Sequence, residues 1–402
     1  MINKFVQCVI LALALSACSD PSSSSQTIPV TNEDATVQPQ ADAGSSCDPN
    51  AVVPCFKDHA EPCVDINSGY PGDEYCIKPP APEIGMQVHV GPRDYTDPTE
   101  TSKYEIQPGN ETNWAEIVQF PNTETKFTRG YRSFMRPGSH HFIMFGTDQN
   151  TNPNQGPIQN SGGAESAVGA VGGRFLGGAT KQIQNIDTAS DAPEDTGIGS
   201  EIPPNSFVAM NLHWFNSTEE VQLQEIWVNF IFIPENEVTQ YVKPITWYGG
   251  VAMNVPIGYH VTLDNITSGQ SCAAPADVRI GMMTAHAHAN TLRVTTTRGT
   301  GELLFEDYDW HEPTEWRYNS VLTNQTPDRS VLQSGGASGV QSVYTGETFN
   351  WECEIQNESG VNLTFGNRVE TAEMCNVFGF YITPDITALP WSCVFIDGMT
   401  VL

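Results

Sequence analysis

The chain has 402 residues, room for more than one core, and its 18 basic and 47 acidic side chains give a formal net charge of −29 at pH 7. That balance argues against nucleic acid as a partner and fits a soluble, self-repelling surface that at most favours the approach of cations. Histidine is scarce, nine in all, and ten cysteines are present.

In chain order, residues 1–17 read as a lipoprotein signal peptide. Met1 to Lys4 are a short polar start with one positive charge, Phe5 to Leu13 are almost wholly apolar, and Leu15-Ser16-Ala17-Cys18 resembles a bacterial lipoprotein cleavage box. Cleavage there leaves Cys18 open to lipid attachment. The protein is therefore expected to be exported and lipid-anchored to the bacterial cell envelope, at the outer membrane on its periplasmic or surface side. The alternative is an ordinary secretory signal with a chance cysteine at the cut site. No later run approaches the ~20 apolar residues that span a bilayer, so the lipid would be the only membrane attachment.

Residues 18–46 are Ser, Thr, Gln, Asp and Pro with scarcely any large apolar side chain, which predicts a flexible tether. Residues 47–82 form a short Cys-rich segment that ends at Pro79-Pro80. With Cys8 lost and Cys18 acylated, eight cysteines remain, an even number that predicts four disulfides and an oxidising compartment. The early group is Cys47, Cys55, Cys63 and Cys76; the late group is Cys272, Cys353, Cys375 and Cys393. Each group is read as paired within itself, with the early connectivity open.

From about Glu83 the pattern is period-two runs broken by Gly, Pro and Asn clusters, without sustained helical periodicity. Strands are predicted at Phe142 to Phe145, Phe207 to Phe215, Ile226 to Ile233, Val278 to His288, Leu292 to Thr297 and Val377 to Ile382. The fold class is all-β: two antiparallel β-sandwich (jelly-roll-like) domains in tandem, 83–236 and 237–402, after the disulfide-rich N-terminal segment. Gly162 to Gly178 lacks the strand and helix that flank a nucleotide cradle and is read as a long loop.

Five histidines fall into three short strings. His286 and His288, two apart on a strand, project from one face, with Ala285 and Ala287 turned away. His140 and His141 are adjacent, so a regular strand would send them to opposite faces; Pro137-Gly138 before them permits a bulge that brings both to one ion. His213 supplies a third nitrogen. Met374 shares a face with Asn376, Phe378 and Phe380, and its thioether suits copper, Cu(I) above all, while Met282 and Met283 are rival thioethers. His59, His89, His260 and His311 are scattered and read as surface or satisfied core residues.

The order His-His, then Asn-Leu-His-Trp, then His-Ala-His, then Glu-Met-Cys-Asn before an aromatic strand resembles the copper type II, ascorbate-dependent monooxygenases. The resemblance spans most of the chain from Glu83 and is strongest between Cys272 and Cys393. It implies two coppers per chain. His140, His141 and His213 would hold the electron-transfer copper, and His286, His288 and Met374 the oxygen-activating, catalytic copper, the two facing each other across a solvent-filled cleft. It also implies the disulfides Cys353–Cys375 and Cys272–Cys393. The partners would be O2, a small-molecule substrate, and an electron donor such as ascorbate or another one-electron reductant, its identity unknown.

In the substrate-binding positions the sequence departs from the peptide-amidating members, with Thr284 for an arginine and Phe378 for a tyrosine, while Asn376 is kept. Without those groups a carboxylate at that position loses its handles, and a less polar substrate than a peptide C-terminus is expected. The first domain lacks the family's cysteines near its His-His pair, so packing must hold that site. The alternative function is a non-catalytic copper-binding or copper-sequestering surface lipoprotein.

Overall fold

The computed structural model describes residues 60–63, 66–147, 158–159, 174–179, 181–188, 196–310, 313, 316–317, 341–366, 368 and 370–401. The expected signal peptide, tether and lipidated Cys18 lie outside these residues, as do Cys47, Cys55, His59 and His311.

The principal strands are β1 (Gly85–Val90), β2 (Glu111–Gln119), β3 (Lys126–Met135), β4 (Ser139–Thr147), β5 (Arg174–Ala179), β6 (Ile198–Ile202), β7 (Phe207–Phe215), β8 (Ile226–Ile233), β9 (Gln240–Gly249), β10 (Val278–His286), β11 (Thr291–Arg298), β12 (Thr348–Gln356) and β13 (Cys375–Thr383). The fold is all-β. Strand β12 shows why: every second residue from Phe349 to Ile355 is buried and the intervening ones are partly exposed, as one covered sheet face requires.

One long sheet carries β1-β8-β3-β6-β9-β13-β10 in that order. A second sheet, built round β2-β7-β4-β5, covers its first part, and a third, built round β11-β12, covers its second part. Two apolar cores result. The first packs Val88, Met135, Phe142, Met144, Met210, Trp214 and Phe230; the second packs Trp247, Met283, Val294, Trp351, Ile355, Val377 and Tyr381. The long sheet runs unbroken past residues 236–237, because Gln240 and Tyr241 of β9 pair in parallel with Ile198 and Gly199 of β6.

Two smaller clusters join the halves. Ile143, Phe145 and Phe175 pack against Phe378, and Ile198 packs against Met282, Phe380 and Ile382.

The expected loop at Gly162 to Gly178 is corrected at its end: Arg174–Ala179 is a strand paired with β4. Its glycines serve a close approach. The Tyr131 hydroxyl donates to the Gly178 carbonyl at 2.6 Å and accepts from the Gly178 N–H at 2.7 Å. A Cβ on Gly177, at φ 135°, would lie 2.3 Å from that hydroxyl.

Three disulfides lie among the described residues: Cys63–Cys76, Cys272–Cys393 and Cys353–Cys375. The last ties β12 to β13 with Cα atoms 5.7 Å apart. Beside it the Trp351 indole donates to the Cys375 carbonyl at 3.2 Å.

Candidate metal centre

Period-two alternation does the sorting. On β4, Phe142 and Met144 turn into the first core, leaving His141, Ile143 and Phe145 on the face toward the second half. On β7, Met210, Leu212 and Trp214 enter the core and His213 takes the other face. On β13, Cys375, Val377 and Tyr381 enter the second core, so Asn376, Phe378 and Phe380 face the first half. On β10, Met283 and Ala285 are core, and Ala287 just beyond joins them, while Met282, Thr284 and His286 face the junction. The rival thioethers are thereby separated: Met283 is sealed in the core and Met282 lines the junction.

The bulge expected before His141 is present. His213 pairs with His141, and the next residue, Trp214, pairs with Ser139, so His140 is the extra residue on β4. The side chain of His140 lies outside the described residues. Gly138 makes the preceding turn possible at φ 84°. The turn is fastened to β7, with the Phe215 N–H donating to the Gly138 carbonyl at 2.9 Å and the Trp214 indole to the Pro137 carbonyl at 3.2 Å.

Directly before the turn stands Arg136, fully buried. Its guanidinium donates to Glu225 at 2.5 Å, to Asp73 at 2.9 Å and to the Pro71 carbonyl at 2.9 Å. Glu225, also fully buried, accepts from the Tyr95 hydroxyl at 2.6 Å and meets His89 at 2.8 Å. Charge pairing at full depth thus fixes the approach to the bulge and docks the Cys63–Cys76 segment on the first half.

Four imidazoles from three distant strings form one row. Ring centroids are 5.1 Å apart for His213 and His141, 5.0 Å for His141 and His286, and 5.6 Å for His286 and His288, each pair edge to face. The expected open water between the two sets of ligands is therefore corrected: His141 of the first half touches His286 of the second. The cause is the apolar packing that draws the halves together at Phe175 and Phe378, whose rings stack at 5.2 Å.

Hydrogen bonds orient two of the rings. The Glu111 carboxylate lies 2.7 Å from His213 Nε2, and an ionised carboxylate only accepts, so Nε2 carries the hydrogen and Nδ1 keeps the lone pair. The Ala372 carbonyl lies 3.3 Å from His288 Nδ1, which by the same reasoning leaves Nε2 of His288 as its lone-pair nitrogen. Burial lowers the His286 pKa to about 4, so this imidazole is neutral at physiological pH.

Met374 is buried between the short strand Ala372–Glu373 and β13. His286 pairs with Asn376, so His288 and Met374 lie two residues beyond that pair on the two segments. One carboxylate joins them. Glu373, fully buried, accepts the N–H of His288 at 2.5 Å, of Met374 at 2.9 Å and of Asn290 at 3.2 Å. Burial pushes the Glu373 pKa up to about 7 against the pull of these N–H donors.

A cavity of about 50 Å³ opens beside His141 and His286, walled by Ile143, Phe175, Thr284 and Phe378. Next to it Asn376 is buried, and its amide oxygen has no hydrogen-bond partner among the described residues. All three residues expected to contact substrate thus lie at this junction, and Thr284 pairs directly with Phe378.

Among the described residues, no three His, Cys, Asp and Glu side chains are arranged to hold a metal ion as they stand. The donor set that fits copper is of another kind: two imidazoles with a thioether on one side, and on the other His141 and His213, with His140 at the bulge. His89 stacks on Trp227 and meets Glu225, and His260 meets Glu354, so both are satisfied outside the row. Sequence reasoning assigned no role to Glu373, Glu111 or Arg136. Of these only Glu373 carried a signal, an acidic residue set between Ala372 and Met374-Cys375.

No family model and no curated protein matches the sequence. Among solved structures, the major capsid protein P2 from bacteriophage PM2 aligns over 74% of this chain and 97% of its own, with a TM-score of 0.30 and 7% identity. A likeness at that level carries no argument about fold or function.

Proposed function

We propose that the chain is a copper-dependent monooxygenase of the ascorbate-dependent type II kind, which hydroxylates a C–H bond of a small, weakly polar organic substrate. The observation that supports this most directly is the row His213, His141, His286, His288, gathered from three distant strings, with Met374 tied to His288 through Glu373. His140, His141 and His213 would hold one copper; His286, His288 and Met374 would hold the other.

Copper bound there supplies O2 activation and one-electron transfer. The balance is R–H plus O2, two electrons and two protons to R–OH and water, the electrons coming from a one-electron reductant such as ascorbate. The protein's part is positioning. Neutral His286 offers a lone pair without first losing a proton, and Glu373 fixes the backbone at His288 and Met374. Phe175 and Phe378 give the cavity an aromatic wall, and the Asn376 amide oxygen, without a hydrogen-bond partner among the described residues, would orient a donor on the substrate. Paired cysteines among the described residues fit export to an oxidising compartment, in keeping with a lipid anchor at Cys18.

A second reading, copper binding or sequestration without turnover, is favoured by the contact of His141 with His286, which closes the space between the two ligand sets. One experiment separates them. The full chain, loaded with copper, is given ascorbate, isotopically labelled O2 and a mixed small-molecule extract, and products are read by mass spectrometry. Two coppers per chain with one labelled oxygen atom in a product is expected, and His213→Ala should fall toward one copper and stop turnover. Two tightly held coppers without O2 consumption would establish the second reading. Failure to bind copper at all would remove both.

A further inference from the structure

A second cavity lies behind the first. It holds about 40 Å³ between the long sheet and strand β5, and it shares two walls with the cavity beside His286: Phe175 and Met282. The partition is thus one aromatic ring and one unbranched thioether, the side chain that most readily changes rotamer. Elsewhere the second chamber is lined chiefly by apolar groups, among them Ile202, Phe230, Val242 and Phe380. Arg174 is the one charged side chain among its described lining residues. A second cation stands close by: Lys243 is held down in pKa by burial, and the charge of Arg174 acts on it in the same direction, with Glu201 opposing.

An apolar void with a cation at its wall suits one kind of occupant. Thr128, Tyr131, Thr188 and Ser200 also line it, but apolar groups make up most of the wall, and an alkyl chain gains from covering them. The guanidinium favours an anion. A small, fully hydrated anion is repelled by a chain of net charge −29, whereas an amphiphile gains from burial of its chain what it loses to that field.

We propose that the two cavities form one bent tunnel for a straight-chain anionic amphiphile, its head group beside Arg174 and its chain passing Phe175 and Met282 to present a C–H bond at His286. This assigns a substrate class to the monooxygenase and rests on that reading for what happens at the C–H bond. The binding itself does not depend on it.

The test begins with the copper-free full chain, titrated with a homologous series of straight-chain carboxylates and the matching alcohols. Affinity should rise by about fourfold per methylene, the transfer free energy of one buried CH2, and level off when the tunnel is full. Carboxylates should bind more tightly than alcohols of equal length. Val242→Trp, which fills the second chamber, should remove the gain from the longer chains. Arg174→Leu, which takes away charge without adding bulk, should remove the preference for carboxylate while keeping the dependence on length. Affinity that is independent of chain length, or an unchanged profile in both variants, would overturn the tunnel.

The same series with copper, ascorbate and O2 separates the two proposals. Length-dependent binding without any hydroxylated product would leave the tunnel standing and sink the monooxygenase. Hydroxylation of short substrates with no effect of length would do the reverse.

Discussion

The two halves hold their donor side chains by different forces. In the first, His141 and His213 sit on neighbouring strands beside a turn anchored by a fully buried ion pair, Arg136 with Glu225, and the disulfide Cys63–Cys76 belongs to the segment docked on that pair. In the second, Cys353–Cys375 lies one residue from Met374, Cys272–Cys393 closes the same half, and the Glu373 carboxylate gathers three backbone N–H groups round His288 and Met374. One site is braced by charge and the other by covalent bonds. They should therefore fail under different conditions.

The largest expected effect is in the first half. Arg136→Met leaves Glu225 buried without its guanidinium, and breaking such a pair costs about 3–5 kcal/mol. Denaturant unfolding should show an early transition, with loss of the copper held by His141 and His213; an unchanged midpoint would show that the ion pair braces nothing. Replacing both Cys353 and Cys375 with Ala should cost about 2–4 kcal/mol and loosen the copper at His286 and His288 first, read by thermal melts and metal content. Equal loss from both sites would erase the contrast.

A smaller effect is set by pH. Burial pushes Glu116, on β2 of the first half, up to about 6, while the Tyr104 hydroxyl donates to it at 3.1 Å. A carboxyl raised in the folded state contributes stability that is complete below its unfolded value, near 4.5, and is lost as pH rises through about 6. Glu116→Gln should therefore gain about 2 kcal/mol over the parent above that window and nothing below it. Parallel stability curves for the two chains would remove Glu116 from the account.

Smallest in stability, below about 1.5 kcal/mol, is Met374→Ile, which keeps volume and removes sulfur. It should leave the fold and the first copper in place and weaken copper only at the second site. Retention of both coppers would take Met374 out of the ligand set.

Much of this was legible in the sequence because it is local. Runs such as Phe207–Phe215 and Ile226–Ile233 are bounded by turn residues and fall on those strands, and Pro137-Gly138 gave away the bulge at His140. Period two then predicted that Asn376 and Phe378 would share a face. What was not legible is non-local. The parallel pairing of Gln240 and Tyr241 with Ile198 and Gly199 rests on two residue pairs that leave no trace in either segment. The strand Arg174–Ala179 was hidden by glycines whose reason is the hydroxyl of Tyr131, in a different strand. Arg136 and Glu225 are ordinary charged residues until the fold seals them together, and the meeting of His141 with His286 depends on how the halves pack.

That short parallel ladder has a mechanical consequence. A separation of the two halves wide enough to admit water between the imidazoles of His141 and His286 would strain the two hydrogen-bonded pairs where β6 meets β9. Those two rungs thus couple the spacing of the two ligand sets to the integrity of the sheet that carries both.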